Sequence, residues 1–175
     1  MRTIMIAAVT IIVALSIGSL VYTTYGSGTL VFKMTDPPTD WGLAAAVYIN
    51  YTSIQIHRAD AGNQSGWIST GISGALNLLE IVDVNKTIGQ LSLQAGLYDF
   101  VRFNVTNAIV TYDGVKYSAF VENGMLNVPI IPEGVMVKAG KTTSMLIDIS
   151  VKVTGSTGSI IGNFKLVPAA TASLT

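Results

Sequence analysis

Apolar residues form one long block at the N-terminus and then break into short alternating runs. Met1 and Arg2 precede Thr3–Tyr22, a largely apolar stretch without charge. From Thr29 onward, runs rich in Val, Ile, Thr, Tyr and Phe are separated by Gly, Pro, Asn and Asp. That grammar predicts strands joined by tight turns. The clearest strand is Ser144–Val153, where Met145, Ile147, Ile149, Val151 and Val153 share one face and only Leu146 breaks the alternation. The clearest hairpin is Ala108–Tyr112 and Val115–Val121 around Asp113-Gly114, a pair suited to the positive φ values of a two-residue type I′ turn.

Further strands are expected at Leu30–Met34, Ala46–Arg58, Gly66–Thr70, Leu97–Val105, Met125–Ile130, Val135–Lys138 and Ser159–Val167. Leu76–Val84 is the other stretch with a helical-turn pattern. About eight or nine strands at this spacing make an all-β fold, an antiparallel sandwich or jelly-roll-like head. Tyr25-Gly26-Ser27-Gly28 breaks the pattern before the first strand. The expected organisation is therefore a hydrophobic segment over 1–25, a Gly/Ser hinge over 26–28 and one β-domain over 29–175.

Two readings of the N-terminal segment stay open. As a secretory signal it has a minimal basic start, an apolar centre over Ile4–Leu15 and small residues Ser16 and Gly18. As a retained segment it approaches the roughly 20 residues that span a bilayer or form a buried helix. Both export the rest of the chain. Thr3, Thr10, Ser16 and Ser19 suit a helix packed on copies of itself rather than on lipid alone.

The order of pieces also carries a resemblance. Gly28-Thr29-Leu30-Val31-Phe32-Lys33-Met34-Thr35-Asp36-Pro37-Pro38 opens it, followed by Ile54-Gln55-Ile56-His57-Arg58, Gly66-Trp67-Ile68 and Leu76-Asn77-Leu78-Leu79. Leu93-Gln94-Ala95-Gly96-Leu97-Tyr98, Val101-Arg102-Phe103, Leu146-Ile147-Asp148 and Lys165-Leu166-Val167-Pro168 complete it. Over Gly28–Thr171 the chain resembles the secreted β-domain family catalogued as domain of unknown function 4382, which implies a secreted β-sandwich and brings no catalytic residue or cofactor. In architecture, an apolar helix, a hinge and a β-head, it is also similar to archaeal type IV pilins. It departs from them in lacking the basic, glycine-ended cleavage site before the apolar stretch.

Composition narrows the chemistry. Formal net charge is zero and charged residues make up 11%, against about 25% in an average soluble domain. Neither nucleic acid nor an anionic membrane surface has an electrostatic footprint here. There is no cysteine, so thiolate metal sites, a cysteine nucleophile and disulfides are excluded. His57 is the one histidine, and the sequence offers no Gly-x-Ser-x-Gly elbow beside which it could serve a triad. Asp36 and Asp40 flank Pro37-Pro38-Thr39 and could line a cation loop, although turn-forming Asp accounts for them equally; no metal site and no cofactor is expected. Trp41, Trp67, Tyr48 and Tyr51 could stack on a sugar or serve the core and strand faces.

Four N-glycosylation sequons stand out, at Asn50, Asn63, Asn85 and Asn104. In an exported, weakly charged chain, glycans would supply the hydration that charge does not, though the same tripeptides also arise in strands by chance.

These features point to a non-enzymatic, extracellular glycoprotein of the cell surface. The expected role is a structural subunit of a filament or pilus, archaeal in type, in adhesion or surface attachment. Its N-terminal segment would join copies as a core helix or as a strand donated to a neighbour's sheet. The other reading is a membrane-anchored or secreted β-sandwich module binding polysaccharide or the surface layer.

Overall fold

A computed structural model describes residues 11–21, 26–35, 44–62, 65–81, 85–112, 114–154 and 164–174, with backbone alone for 44–45, 149–154 and 164–174. Residues 11–21 form a helix, α1. The remainder is an all-β, sandwich-like head. Its strands are β1 (Ser27–Thr35), β2 (Ala44–Arg58), β3 (Trp67–Ser69), β4 (Gly74–Asn77), β5 (Lys86–Gln94), β6 (Gly96–Tyr112), β7 (Val115–Phe120), β8 (Met125–Pro129), β9 (Val135–Val137), β10 (Thr142–Thr154) and β11 (Phe164–Leu174).

One layer runs β5-β1-β10-β11. The other is built on the long strand β6, which pairs with β2 along one side and with β7, β8 and β9 along the other. A short pairing of β11 with β7 (Phe164↔Ala119, Lys165↔Phe120) makes the two layers continuous. The sheet is mixed rather than wholly antiparallel as the turns suggested. β1 runs parallel to β10, and β11 runs parallel to β7. Both parallel pairs join strands far apart in sequence, so no hairpin turn constrains their direction.

The core lies between the layers. Leu30, Phe32, Met34, Met145 and Ile147 from the first face Ile49, Ile54, Ile56, Val101, Phe103 and Val110 from the second. Alternation places them there, because residues two apart share a face. Met145 and Ile147 are fully buried, as the period-two pattern of β10 requires. The side chains of Ile149, Val151 and Val153 lie outside the described residues.

Four elements differ from expectation. The last strand, expected at Ser159–Val167, is β11 at Phe164–Leu174, with 159–163 outside the described residues. Lys86–Gln94, not among the expected strands, is the edge strand β5. Leu97–Val105 and Ala108–Tyr112 are one continuous strand of 17 residues. Leu76–Val84 divides into β4 and a 3₁₀ turn over Leu78–Ile81, whose start is capped by Asn77: its Oδ1 accepts from Leu79 N at 3.3 Å.

The hinge is also shorter than expected, because β1 begins at Ser27. Ala95 N donates to Gly26 O at 2.7 Å, Gly140 N to Ser27 O at 2.8 Å and Thr29 N to Lys141 O at 2.8 Å. Gly28 is buried, and a Cβ there would stand 2.2 Å from Lys138 O. Gly28 thus serves close backbone packing at the root of the N-terminal segment.

Candidate functional site

Three regions hold most of the described side chains that the sequence singled out: the end of β2 with the residues after it, the paired sequons on β2 and β6, and α1.

His57, next to last in β2, faces away from the core, which Ile56 enters from the opposite side of the strand. It is nevertheless buried at 4% exposure, because the loop leading to β3 folds over it. Its Nδ1 donates to Asp99 Oδ1 at 2.7 Å, and its Nε2 faces Ser65 O at 2.9 Å and Gly62 O at 3.4 Å. Acceptors meet both nitrogens, an arrangement only the doubly protonated ring can serve in full. Burial alone would lower the pKa. The Asp99 hydrogen bond, the Gly62 carbonyl, the Asp99 charge and the Ser65 carbonyl outweigh it, and the net shift is upward.

Gly66 makes the fold of this loop possible. It holds φ at +87°, and a Cβ there would stand 2.3 Å from Ala61 Cβ. Beside the histidine, Trp67 packs on the imidazole with ring centroids 4.9 Å apart, and the Arg102 guanidinium covers the indole at 3.7 Å. Arg102 is held there by its Nε donating to Asn127 Oδ1 at 2.9 Å. Chemically this is a clip: acceptors engage both ring nitrogens of His57, and Trp67 already has a cation against its ring.

Asp99 had no signal in the sequence as the partner of His57. It sits where the β2–β6 register shifts between His57 and Arg58, so counting positions does not place it opposite the histidine. Arg58 next to it donates from Nε to Asp60 Oδ1 at 2.7 Å and from Nη1 to Gln94 Oε1 at 2.6 Å, tying β2 to the end of β5.

Two of the four sequons are brought side by side. Asn50-Tyr51-Thr52 on β2 and Asn104-Val105-Thr106 on β6 flank register shifts in the pairing of those strands. Each threonine hydroxyl reaches the other sequon's asparagine carbonyl: Thr52 Oγ1 to Asn104 O at 3.5 Å and Thr106 Oγ1 to Asn50 O at 3.4 Å. The asparagines differ. Asn50 is exposed, whereas Asn104 is half-buried with its Nδ2 donating to Ser53 Oγ at 2.5 Å. Asn85 is exposed just before the edge strand β5, and Asn63 lies outside the described residues.

Asp36, Asp40 and Trp41 also lie outside the described residues. Among the described residues no group of three or more His, Cys, Asp or Glu side chains is placed to hold a metal ion. Tyr51 belongs to the core, edge-on to Phe103 at 5.5 Å, while Tyr48 is partly exposed on the outer face of β2. Asp148 was not singled out by sequence. Its Oδ1 is buried without a hydrogen-bond partner, and burial raises its pKa.

Every residue of α1 is exposed, including Ile11, Ile12, Val13, Leu15, Ile17, Leu20 and Val21, at 49–68% each. Among the described residues no helix is long and apolar enough to cross a membrane.

Comparison with known proteins gives a family. The family described as "Domain of unknown function (DUF4382)" matches residues 27–168, most of the chain, and the chain belongs to it. A crystal structure of a provisionally assigned cell adhesion protein from Bacteroides ovatus ATCC 8483 is similar at 10% identity, over 82% of this chain and 44% of that one, with a TM-score of 0.17. The chain thus spans less than half of that protein's length, and a likeness this slight carries no argument. No curated protein matches the chain.

Proposed function

We propose that this member of the DUF4382 family is a structural subunit of an extracellular filament or pilus, polymerising through its N-terminal segment and serving adhesion or surface attachment. One observation carries the reading. The head completes its own core without α1, while α1 is apolar around its circumference and exposed at every residue. A helix hydrophobic on all sides belongs inside something larger. Burying a large aliphatic side chain contributes about 1.5–3 kcal/mol, so seven of them supply on the order of 10 kcal/mol per copy before the entropy of association is subtracted.

The family match starts at residue 27 and leaves that helix outside the domain, as an appendage carried by it. The weak charge of the chain agrees with a life in an assembly, and glycans on exposed sequons would hydrate the outer surface. In this reading the head carries no catalysis. Electron microscopy of the purified full chain tests it: filaments are the expected result, and dispersed single heads at the same concentration would favour the membrane-anchored or secreted binding module instead.

A further inference from the structure

The end of the head from which the N-terminal segment departs also carries an outward apolar face. Leu97 on β6 lies opposite Met136 on β9, and Phe100 on β6 lies opposite Pro129 on β8. Their neighbours Tyr98, Val101, Val128, Ile130, Val135 and Val137 turn into the core, which leaves this set outside. Leu97, Phe100, Ile131 and Met136 are 37%, 40%, 46% and 47% exposed. Gly26, at the root of the segment, is hydrogen-bonded to Ala95, two residues from Leu97. Ser27 is bonded to Gly140, four residues beyond Met136.

We infer that this basal face seats helix α1 of a second copy of the chain, an inference that rests on the subunit reading above. Among the described residues, α1 and this face are both exposed, and the chain that carries α1 enters the head beside the face at Gly26 and Ser27. Each copy then offers one helix and one seat, a head-to-tail contact that continues into an open filament rather than closing on itself. Contiguous exposed apolar residues rimmed by polar ones mark a contact surface, whereas single ones do not.

The charges around the face favour protein over lipid as the occupant. The Arg58 guanidinium lies beside Gly96 and is paired with Asp60, Asp99 stands between Leu97 and Phe100 along β6, and Glu133, Lys138 and Lys141 lie in the chain on either side of Met136. An anionic bilayer selects clustered Lys and Arg and is repelled by carboxylates, whereas a rim of both signs is what a protein contact carries. Within α1, Val13, Ile17 and Leu20 fall on one stripe at i, i+4 and i+7 and would enter the seat first.

Because the chain has no cysteine, single thiols can report the contact directly. Full-length Ile17→Cys and full-length Met136→Cys are prepared separately, mixed in detergent, reassembled by its removal and oxidised. The expected result is a disulfide-linked pair containing one chain of each kind. That pair should be lost when Val115→Cys, exposed at the β6–β7 turn, replaces Met136→Cys. Wild-type filaments without the mixed pair would overturn the seat and leave the subunit reading standing, while no filaments from the wild type would remove both. A second variant guards against a disturbed thiol position. Phe100→Lys with Met136→Lys should stay folded by its melting curve and fail to polymerise. Full polymerisation of that variant, or its loss of binding to phosphatidylglycerol vesicles that the wild type binds as single chains, would also overturn the seat.

Discussion

At the scale of single residues, the His57 clip gives the head a definite pH response. The folded pKa of His57 lies above its ordinary value of 6.5. The stabilisation is therefore fully present below about pH 6.5, and it is lost as pH rises through the raised folded value. Asp99→Asn removes the charge that holds the imidazolium, at an expected cost of about 1–2 kcal/mol, reduced because Asp99 is a third exposed. Melting curves at pH 5.5 and pH 8.5 would show the variant trailing the wild type in acid and approaching it in base; equal gaps at both would contradict the clip. Asp148 works in the opposite sense. Its pKa is raised by burial, so the ionised form destabilises the fold above the carboxylate range. Asp148→Asn should melt higher than wild type at neutral pH, with the gain shrinking as the solution is acidified. Accessibility likewise ranks the sequons, and mass spectrometry of protein from its native surface should find added mass at Asn50 or Asn85 ahead of Asn104. Bare peptides at Asn50 and Asn85 would remove glycans as the source of hydration. The lone histidine was evident from sequence, but its role was not. A bulge supplies Asp99, and a loop from the other direction supplies the two carbonyls.

At the scale of elements, the strands that were legible are those with an unbroken period of two. β10 is the best example, and Ile147→Asp should abolish the cooperative transition of the head by placing an unpaired charge between Phe32, Met34 and the β2 face. Strand β5 escaped because its apolar residues change phase. Ile88 and Leu91 cannot share a face by simple alternation, and the pairing with β1 shifts register between Phe32 and Lys33, opposite Gly89. Strand β6 was expected in two pieces because Thr106-Asn107 interrupts the apolar alternation, and the register with β2 slips beside it. In Leu78–Ile81, Leu78 and Ile81 are both buried three residues apart, the period of a 3₁₀ turn rather than an α-helix. The Gly-Ser-Gly stretch was read from composition as slack, yet its second glycine is there for space. Gly28→Ala should cost about 1–3 kcal/mol by overpacking against Lys138 O, lowering Tm by several degrees. A variant as stable as the wild type would restore the flexible-hinge reading.

At the scale of the whole molecule, two parts with opposite solvent requirements share one chain. The head has its own core, with Leu30, Phe32, Ile54, Ile56 and Val101 wholly inside. Helix α1 is exposed at every residue and stands outside the core of the head. That division was legible early, since a charge-free run followed by period-two strands is a coarse pattern that survives local register slips. The basal face was not legible, because Leu97 and Met136, like Phe100 and Pro129, are far apart in sequence and come opposite one another only through the pairing of β6 with β9 and β8. Apolar contacts of this kind hardly respond to salt, which separates them from association through surface charge. The most direct measurement is sedimentation velocity of the full chain beside a chain beginning at Tyr25, which keeps the Gly26 and Ser27 hydrogen bonds, each at low salt and in about 1 M salt. The full chain should sediment as large polymers in both, and the shortened chain as a folded monomer in both. Polymers from the shortened chain, or polymers of the full chain that dissolve in high salt, would contradict the account.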